Sequence, residues 1–380
     1  MVAYLDHAAT SPLRAEAFSA MQPWLTERFG NPSGAHSVAR AARTAIDDAR
    51  DQIAGWVGVD PGGVIFTGGG TEADNLAILG TVAARRGPVV TTAIEHHAVV
   101  AAAAAAGIEV RVVPVDADGV VDLEALAAAV TRDVTVVSVM LVNNEVGTIQ
   151  PLQQVLDVVR RRAPAAALHT DAVQAAPWMD VAAAASGYDL ISVSAHKLGG
   201  PQGVGVLAWR ERDGAPGLHA IVHGGGQERE RRSGTHNVAG IVGMVAAWQA
   251  VAAQRDESAE RVAALRDRLV DELVAAVPGM VETGSRATKI PGNAHCCFDG
   301  VESEALVVLL DDAGVCASAG SACASGATEP SHVLAAMGVA PALAAGALRC
   351  SLGAATTAAD IDLALKVIPD AVAQLREAVR

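Results

Sequence analysis

Short β-branched runs alternate along the chain with longer, alanine-rich stretches of helical character. The runs lie at 64–67, 89–93, 110–115, 134–141, 167–170, 189–193 and 203–209. That pattern predicts strands covered on both faces rather than half-solvated ones. Helical stretches lie between them, one opened by Pro151 and reaching Arg162, where proline suits the first turn. Strand–helix alternation of this kind predicts a mostly parallel α/β sheet with helices on both sides. From 235 to 277 the pattern is long and helical, with a break expected near 254–258, and it reads as a bridge between domains. After Gly279 shorter pieces with more glycine return, which points to a smaller α/β domain ending at Arg380. The expected division is a segment 1–15 packing with the small domain, a large domain 16–250 and a small domain 251–380.

Composition narrows the class. A chain of 380 residues, 51% hydrophobic and 18% charged, has material for about two cores. No stretch reaches the roughly 18 consecutive apolar residues of a membrane span. Asp6 and His7 stand where a signal peptide would carry basic residues and then an apolar run, so a cytoplasmic location is expected. A net charge of −14 argues against nucleic acid and anionic membrane surfaces, which are held through a basic face. The five cysteines are odd in number and contain no C-x-x-C pair. A disulfide framework and a four-thiolate metal site are poor readings, no metal is expected, and one functional thiol in a reduced compartment is the better one.

Three strand ends carry candidate chemistry. Gly68-Gly69-Gly70-Thr71 stands between a predicted strand and a predicted helix, where glycines let the backbone approach an anion and free N–H groups favour phosphate. Alone, the cluster reads equally well as an ordinary strand-to-helix turn. Ser194-Ala195-His196-Lys197 follows another strand and leads into Gly199-Gly200. A lysine there is placed for a Schiff base with an aldehyde cofactor, although any single lysine reads first as solvated surface. Asp171 links the two, because it also follows a strand, and its carboxylate can pair with a protonated pyridine nitrogen. Lysine, aspartate and phosphate cradle thus fall on strand ends of one sheet. Cys323 sits in a different setting, the small and polar segment 319–334, suited to a nucleophile that meets substrate inside and acceptor outside. The other cysteines, in apolar or strand-like runs, read as small core residues.

These residues, with Tyr4-Leu5-Asp6-His7-Ala8-Ala9-Thr10, Phe29-Gly30-Asn31-Pro32-Ser33, Thr71-Glu72-Ala73-Asp74-Asn75, Glu95-His96-His97, Asn143-Asn144-Glu145, His223-Gly224-Gly225-Gly226-Gln227-Glu228, Arg232-Ser233-Gly234-Thr235 and Leu348-Arg349-Cys350, occur in order along essentially the whole chain. In this the sequence resembles the bacterial cysteine desulfurases, the class V branch of fold-type I pyridoxal-phosphate enzymes, and within them the group with the longer cysteine loop. The resemblance implies a large domain with a mostly parallel seven-stranded sheet, a smaller C-terminal α/β domain carrying a loop at about 317–332, pyridoxal 5'-phosphate as cofactor and a homodimer. It implies that Lys197 holds the cofactor and moves the substrate α-proton, that His96 stacks on the ring and shuttles a proton, and that Asn144, Asp171 and Gln174 contact the ring. Gly70, Thr71, Ser194 and His196 would hold the phosphate, with Thr235 reaching across from a second subunit. Arg349, with Asn144, would bind the carboxylate of L-cysteine, and Cys323 would take the sulfur as a persulfide. A sulfur-acceptor protein, an iron–sulfur scaffold or a tRNA-thiolation enzyme, is the implied partner. Selenocysteine lyase or another fold-type I activity is the nearest alternative, and a catalytically idle sulfur-relay protein is the rival outside enzymes.

Overall fold

In the computed structural model, which describes residues 2–320 and 331–378, all seven apolar runs become strands of a single sheet. After a separate first strand, β1 (Ala3–Tyr4), they are β2 (Val64–Thr67), β3 (Val89–Thr92), β4 (Val110–Val113), β5 (Val136–Ser138), β6 (Ala167–Asp171), β7 (Leu190–Ser194) and β8 (Gly205–Trp209). Their order is β2-β8-β7-β6-β5-β3-β4, and only β8 runs against its neighbours. The carboxyl ends of β2, β7, β6, β5 and β3 therefore lie along one edge, where α/β sheets bind ligands.

Successive side chains of a strand point to opposite faces, and here both faces of the inner strands are covered, while Val112 on the edge strand β4 is 60% exposed. Ile65, Val136, Leu190 and Leu207 pack with residues of the helices Gly70–Ala84 and His97–Ala105. Phe66, Val137, Ile191 and Val206 pack on the other side with the helices Ser37–Val57 and Leu152–Arg162. Two covered faces are why strands such as β2, β5 and β8 carry apolar residues at successive rather than alternating positions.

The break expected near 254–258 is not there. One helix runs from Val238 to Ala276. Its buried residues fall in two groups, Val238 to Val251 in the core beside the sheet and Val262 to Leu273 in a second core. The ten residues between, 252–261, bury nothing fully. They lose apolar periodicity because they bridge two cores, and with no glycine or proline among them the helix continues through solvent.

The second core is built on β9 (Met280–Glu282), β10 (Asn293–Phe298), β11 (Val315–Cys316) and β12 (Ala347–Ser351). β12, β10 and β9 form an antiparallel sheet, while β1 pairs in parallel with β11, Ala3 opposite Val315. The chain start is thus strapped to its C-terminal part. From there residues 6–11 reach the large sheet's edge, where the Ser11 N–H donates to the His196 carbonyl at 3.1 Å.

Candidate active site

A single 3-10 turn, Ala195–Leu198, follows β7 and leaves Lys197 at the sheet edge. Gly199 ends that turn at φ 77°, a left-handed position where glycine is unstrained. The Lys197 amine donates to the carbonyls of Ala8 and Ala9, the latter at 2.7 Å, and the Gln174 amide donates to the Ala8 carbonyl at 2.9 Å. The chain start therefore closes over the lysine. Asp171, the last residue of β6, accepts the Val173 N–H at 2.8 Å. Burial pushes its pKa up to about 6, against the opposing pull of that N–H and of Lys197. His96 caps the helix His97–Ala105, its Nδ1 accepting the Ala98 N–H at 3.1 Å. Burial, helped by Lys197, His97 and His332, pushes its pKa down to about 4, so the ring is neutral with its proton on Nε2.

The glycine cluster lies at the end of β2. Gly69 has φ 148°, and the helix Gly70–Ala84 starts at once. A methyl on Gly205 would stand 2.6 Å from the Gly69 backbone, and one on Gly70 2.9 Å from Val173 Cγ2. Close backbone approach thus requires glycine at 205, and the Val173 side chain crowds any Cβ at 70. The resulting cavity, about 690 Å3, is lined by the stretch Gly68 to Glu72 with Thr10, Ser194 and His196. His196 Nδ1 is 3.1 Å from Thr10 Oγ1, and burial followed by Lys197 lowers its pKa to about 4. It serves as a neutral hydrogen-bonding ring rather than a cation. Thr235 is exposed and lies outside this lining. A second cavity of about 340 Å3 has Lys197, Gln174, Ala8 and Asn293 in its wall.

Arg349, on β12, is 2% exposed and points toward the junction of the two sheets. It donates to the Asn144 carbonyl at 3.0 Å and to Asp6 Oδ1 at 2.8 Å, while its buried Nε has no hydrogen-bond partner among the described residues. Asn144 is half-buried beside it. The sequence reading missed the Asp6 pairing, since 343 residues separate the two. It also missed three buried groups beneath the site, Asp74, Glu95 and His169. A signal for His169 existed, because it precedes Asp171 by two positions and so shares a strand face with it. Cys323 lies outside the described residues.

Pyridoxal phosphate has three handles, and the described residues offer a group for each. Lys197 could supply the amine for its aldehyde and Asp171 the carboxylate for its ring nitrogen. The N–H groups opening Gly70–Ala84, with Thr71 and Ser194, could supply donors for its phosphate. The contact between Gly205 and Gly69 keeps that part of the cradle as bare backbone. This donor set fits the cofactor.

The aminotransferase class-V family model matches residues 3–364. The chain is 41% identical over 379 residues to the cysteine desulfurase IscS of Dictyoglomus turgidum, covering 98% of this chain and 95% of that protein. It is 44% identical over 390 residues to an IscS-like cysteine desulfurase of Mycobacterium tuberculosis, covering 99% and 98%. Among solved structures, a NifS-like protein superposes with a TM-score of 0.90 at 34% identity, covering 98% of this chain and 100% of that one. SspA in complex with cysteine superposes with a TM-score of 0.79 at 29% identity, covering 93% and 99%. A donor set built for pyridoxal phosphate on this sheet edge, with full-length likeness to these proteins, places the chain among the pyridoxal-phosphate-dependent cysteine desulfurases of the aminotransferase class-V family.

Proposed function

We propose that this chain takes sulfur from free L-cysteine onto Cys323, releases L-alanine and passes the sulfur to an acceptor protein for iron–sulfur assembly or tRNA thiolation. The observation that carries this reading is the meeting of Lys197 and Asp171 on adjacent strand ends beside the glycine cradle. When bound, pyridoxal phosphate supplies an aldehyde that condenses with amines and a ring that draws electrons from the substrate's α-carbon.

The protein's own groups do the rest. Lys197 Nζ removes the α-proton and returns it. The Ala8 and Ala9 carbonyls orient that amine, while Gln174, fixed to Ala8, and Asn144 border the ring. Arg349 offers its guanidinium to the substrate carboxylate, for which a planar fork is suited. His96, neutral and capped through Nδ1, stacks on the ring and keeps Nε2 for moving a proton. The Cys323 thiolate attacks the substrate sulfur: the S–S bond forms, the C–S bond breaks, and the carbon takes the electron pair and a proton to leave as alanine. Thr235, exposed in one chain, completes the phosphate site of a second, which makes the working unit a homodimer in the cytoplasm. The two-domain division at about residue 250, with 1–15 on the small domain, is proposed with it, and the cores on either side of 252–261 support it.

Borohydride reduction followed by peptide mass spectrometry tests the centre of the proposal. The pyridoxyl adduct is expected on Lys197, and an adduct on another lysine overturns the assignment. Sulfide and alanine formed in equal amounts from cysteine support the desulfurase reading, whereas keto acid formation favours an aminotransferase.

A further inference from the structure

Asp74 is the fifth residue of the helix Gly70–Ala84, one turn below the phosphate cradle. It is 1% exposed, and its Oδ1 has no hydrogen-bond partner among the described residues. That oxygen is 3.6 Å from His169 Nε2, too far for a hydrogen bond. Both ring nitrogens of His169 are already engaged, Nδ1 with Ser138 Oγ at 2.8 Å and Nε2 with Ser192 Oγ at 2.9 Å. Carboxylate oxygens of Asp74 and Asp171 and a ring nitrogen of His96 all lie within 4.8 Å of one another. Glu95, fully buried, also faces this cluster, with Oε1 held by Thr92 Oγ1 at 2.6 Å and the Met140 N–H at 3.0 Å and with Oε2 unpartnered among the described residues.

We infer that Asp74 is held as an uncharged carboxylic acid beneath the site, and that its proton leaves Asp171 as the single anion facing the cofactor's ring nitrogen. The second half rests on the proposed seat of the ring against Asp171. Two buried carboxylates this close do not both ionise. Asp171 takes the charge because it has the Val173 N–H and the attraction of Lys197, whereas the Asp74 carboxyl has the neutral Ser192 hydroxyl. Burial first, and then the neighbouring Asp171 and Glu95, drive the Asp74 pKa well above the usual carboxyl range. His169 offers no countercharge, since burial lowers its pKa to about 3. Glu95 is likewise raised by burial, to about 8, and stays protonated at neutral pH. Asp74 is therefore a positioning residue: it fills space under Asp171 without competing for the ring's proton.

Infrared difference spectra of the holoprotein against Asp74→Asn at pH 7 test this. The expected loss is the carbonyl stretch of a protonated acid with no loss of a carboxylate band, and a lost carboxylate band overturns the inference. Carbon-13 labelling of aspartate moves the same acid band in the unsubstituted protein, so the test survives if the variant folds poorly. Because the amide replaces a neutral acid, Asp74→Asn is expected to hold pyridoxal phosphate within about threefold of the parent affinity, whereas removing a real second anion would loosen it by about tenfold. A pyridoxyl adduct away from Lys197 would remove the ring assignment and leave the acid band intact. An ionised Asp74 would do the reverse.

Discussion

A thiol reacts as its thiolate, so what surrounds each cysteine decides its chemistry. Burial pushes the Cys350 thiol up to about 12 and the Cys296 thiol well above its ordinary value, and burial also raises Cys297. Cys316, half-buried on β11, is raised by burial and then by Asp311 and Asp6. Each of the four described cysteines is thus held as an inert thiol, which supports Cys323 as the nucleophile. Cys323→Ala is expected to bind cofactor and still change its spectrum when cysteine is added, because those steps belong to Lys197, yet to release almost no sulfide. Cys316→Ala should keep turnover within about twofold and cost about 1 kcal/mol or less in stability, as for a small side chain on a two-residue strand. Persulfide mapping by mass spectrometry after one turnover without reductant decides between them. Label on Cys316 or Cys350 with Cys323 unmodified would show that the wrong sulfur has been chosen.

At the scale of elements, the turn Glu228–Glu230 is held against its own backbone preference. Glu228, Arg229 and Glu230 have φ of 49°, 56° and 64°, three successive left-handed residues that each cost about 1–2 kcal/mol. The buried Glu228 carboxylate offsets this by accepting from both Arg50 amines at 2.9 and 2.7 Å, from the Phe66 N–H at 3.0 Å and from His236. Burial alone would raise its pKa, but the hydrogen bonds from His236 and Arg50 and the Arg50 charge win and bring it to about 2. Because the folded value lies below the ordinary 4.5, the stabilisation is complete above that pH and is lost as pH falls toward 2. Glu228→Gln should therefore lower stability by about 3 kcal/mol at pH 7, with the gap narrowing below about pH 4.5. A gap in denaturant unfolding that stays constant with pH would exclude the ion pair as its source. None of this turn was legible in the sequence, since it is anchored through Glu228 by contacts with Arg50 and Phe66 from far along the chain. The strand ends were legible for the opposite reason. Apolar runs marked β2, β6 and β7, and the polar residues that follow them, Gly68 to Thr71, Asp171 and Lys197, could only fall at their carboxyl edge. The helix across 252–261 was misread because apolar periodicity reports a core to face, and a helix between two cores has none there. The Arg349–Asp6 pair was illegible too, since it depends on β1 being strapped beside β11.

For the molecule as a whole, the strongest remaining expectation concerns a second copy. Phe18, Leu25 and Phe29, at 56%, 63% and 76% exposed, fall in one short part of the chain, on and just after the helix Ala15–Thr26. Large apolar side chains left in solvent this close in sequence are the expected site of contact with the second copy. Thr235, also exposed, has no role in the cavity of its own chain, which fits a group delivered to a neighbour's. Two copies each carrying −14 repel, so their association must come from apolar burial and should survive added salt, which screens the repulsion. Sedimentation is accordingly expected to show a dimer that holds as salt is raised. Leu25→Glu combined with Phe29→Glu places like charges on both copies at that surface and should shift the protein toward monomer. If the phosphate site is shared, cofactor affinity must fall with it, by about tenfold for a lost pair of donors, and must recover as protein concentration restores the dimer. A monomer that holds pyridoxal phosphate as tightly as the parent would mean that each chain completes its own site, and that Thr235 belongs to its surface alone.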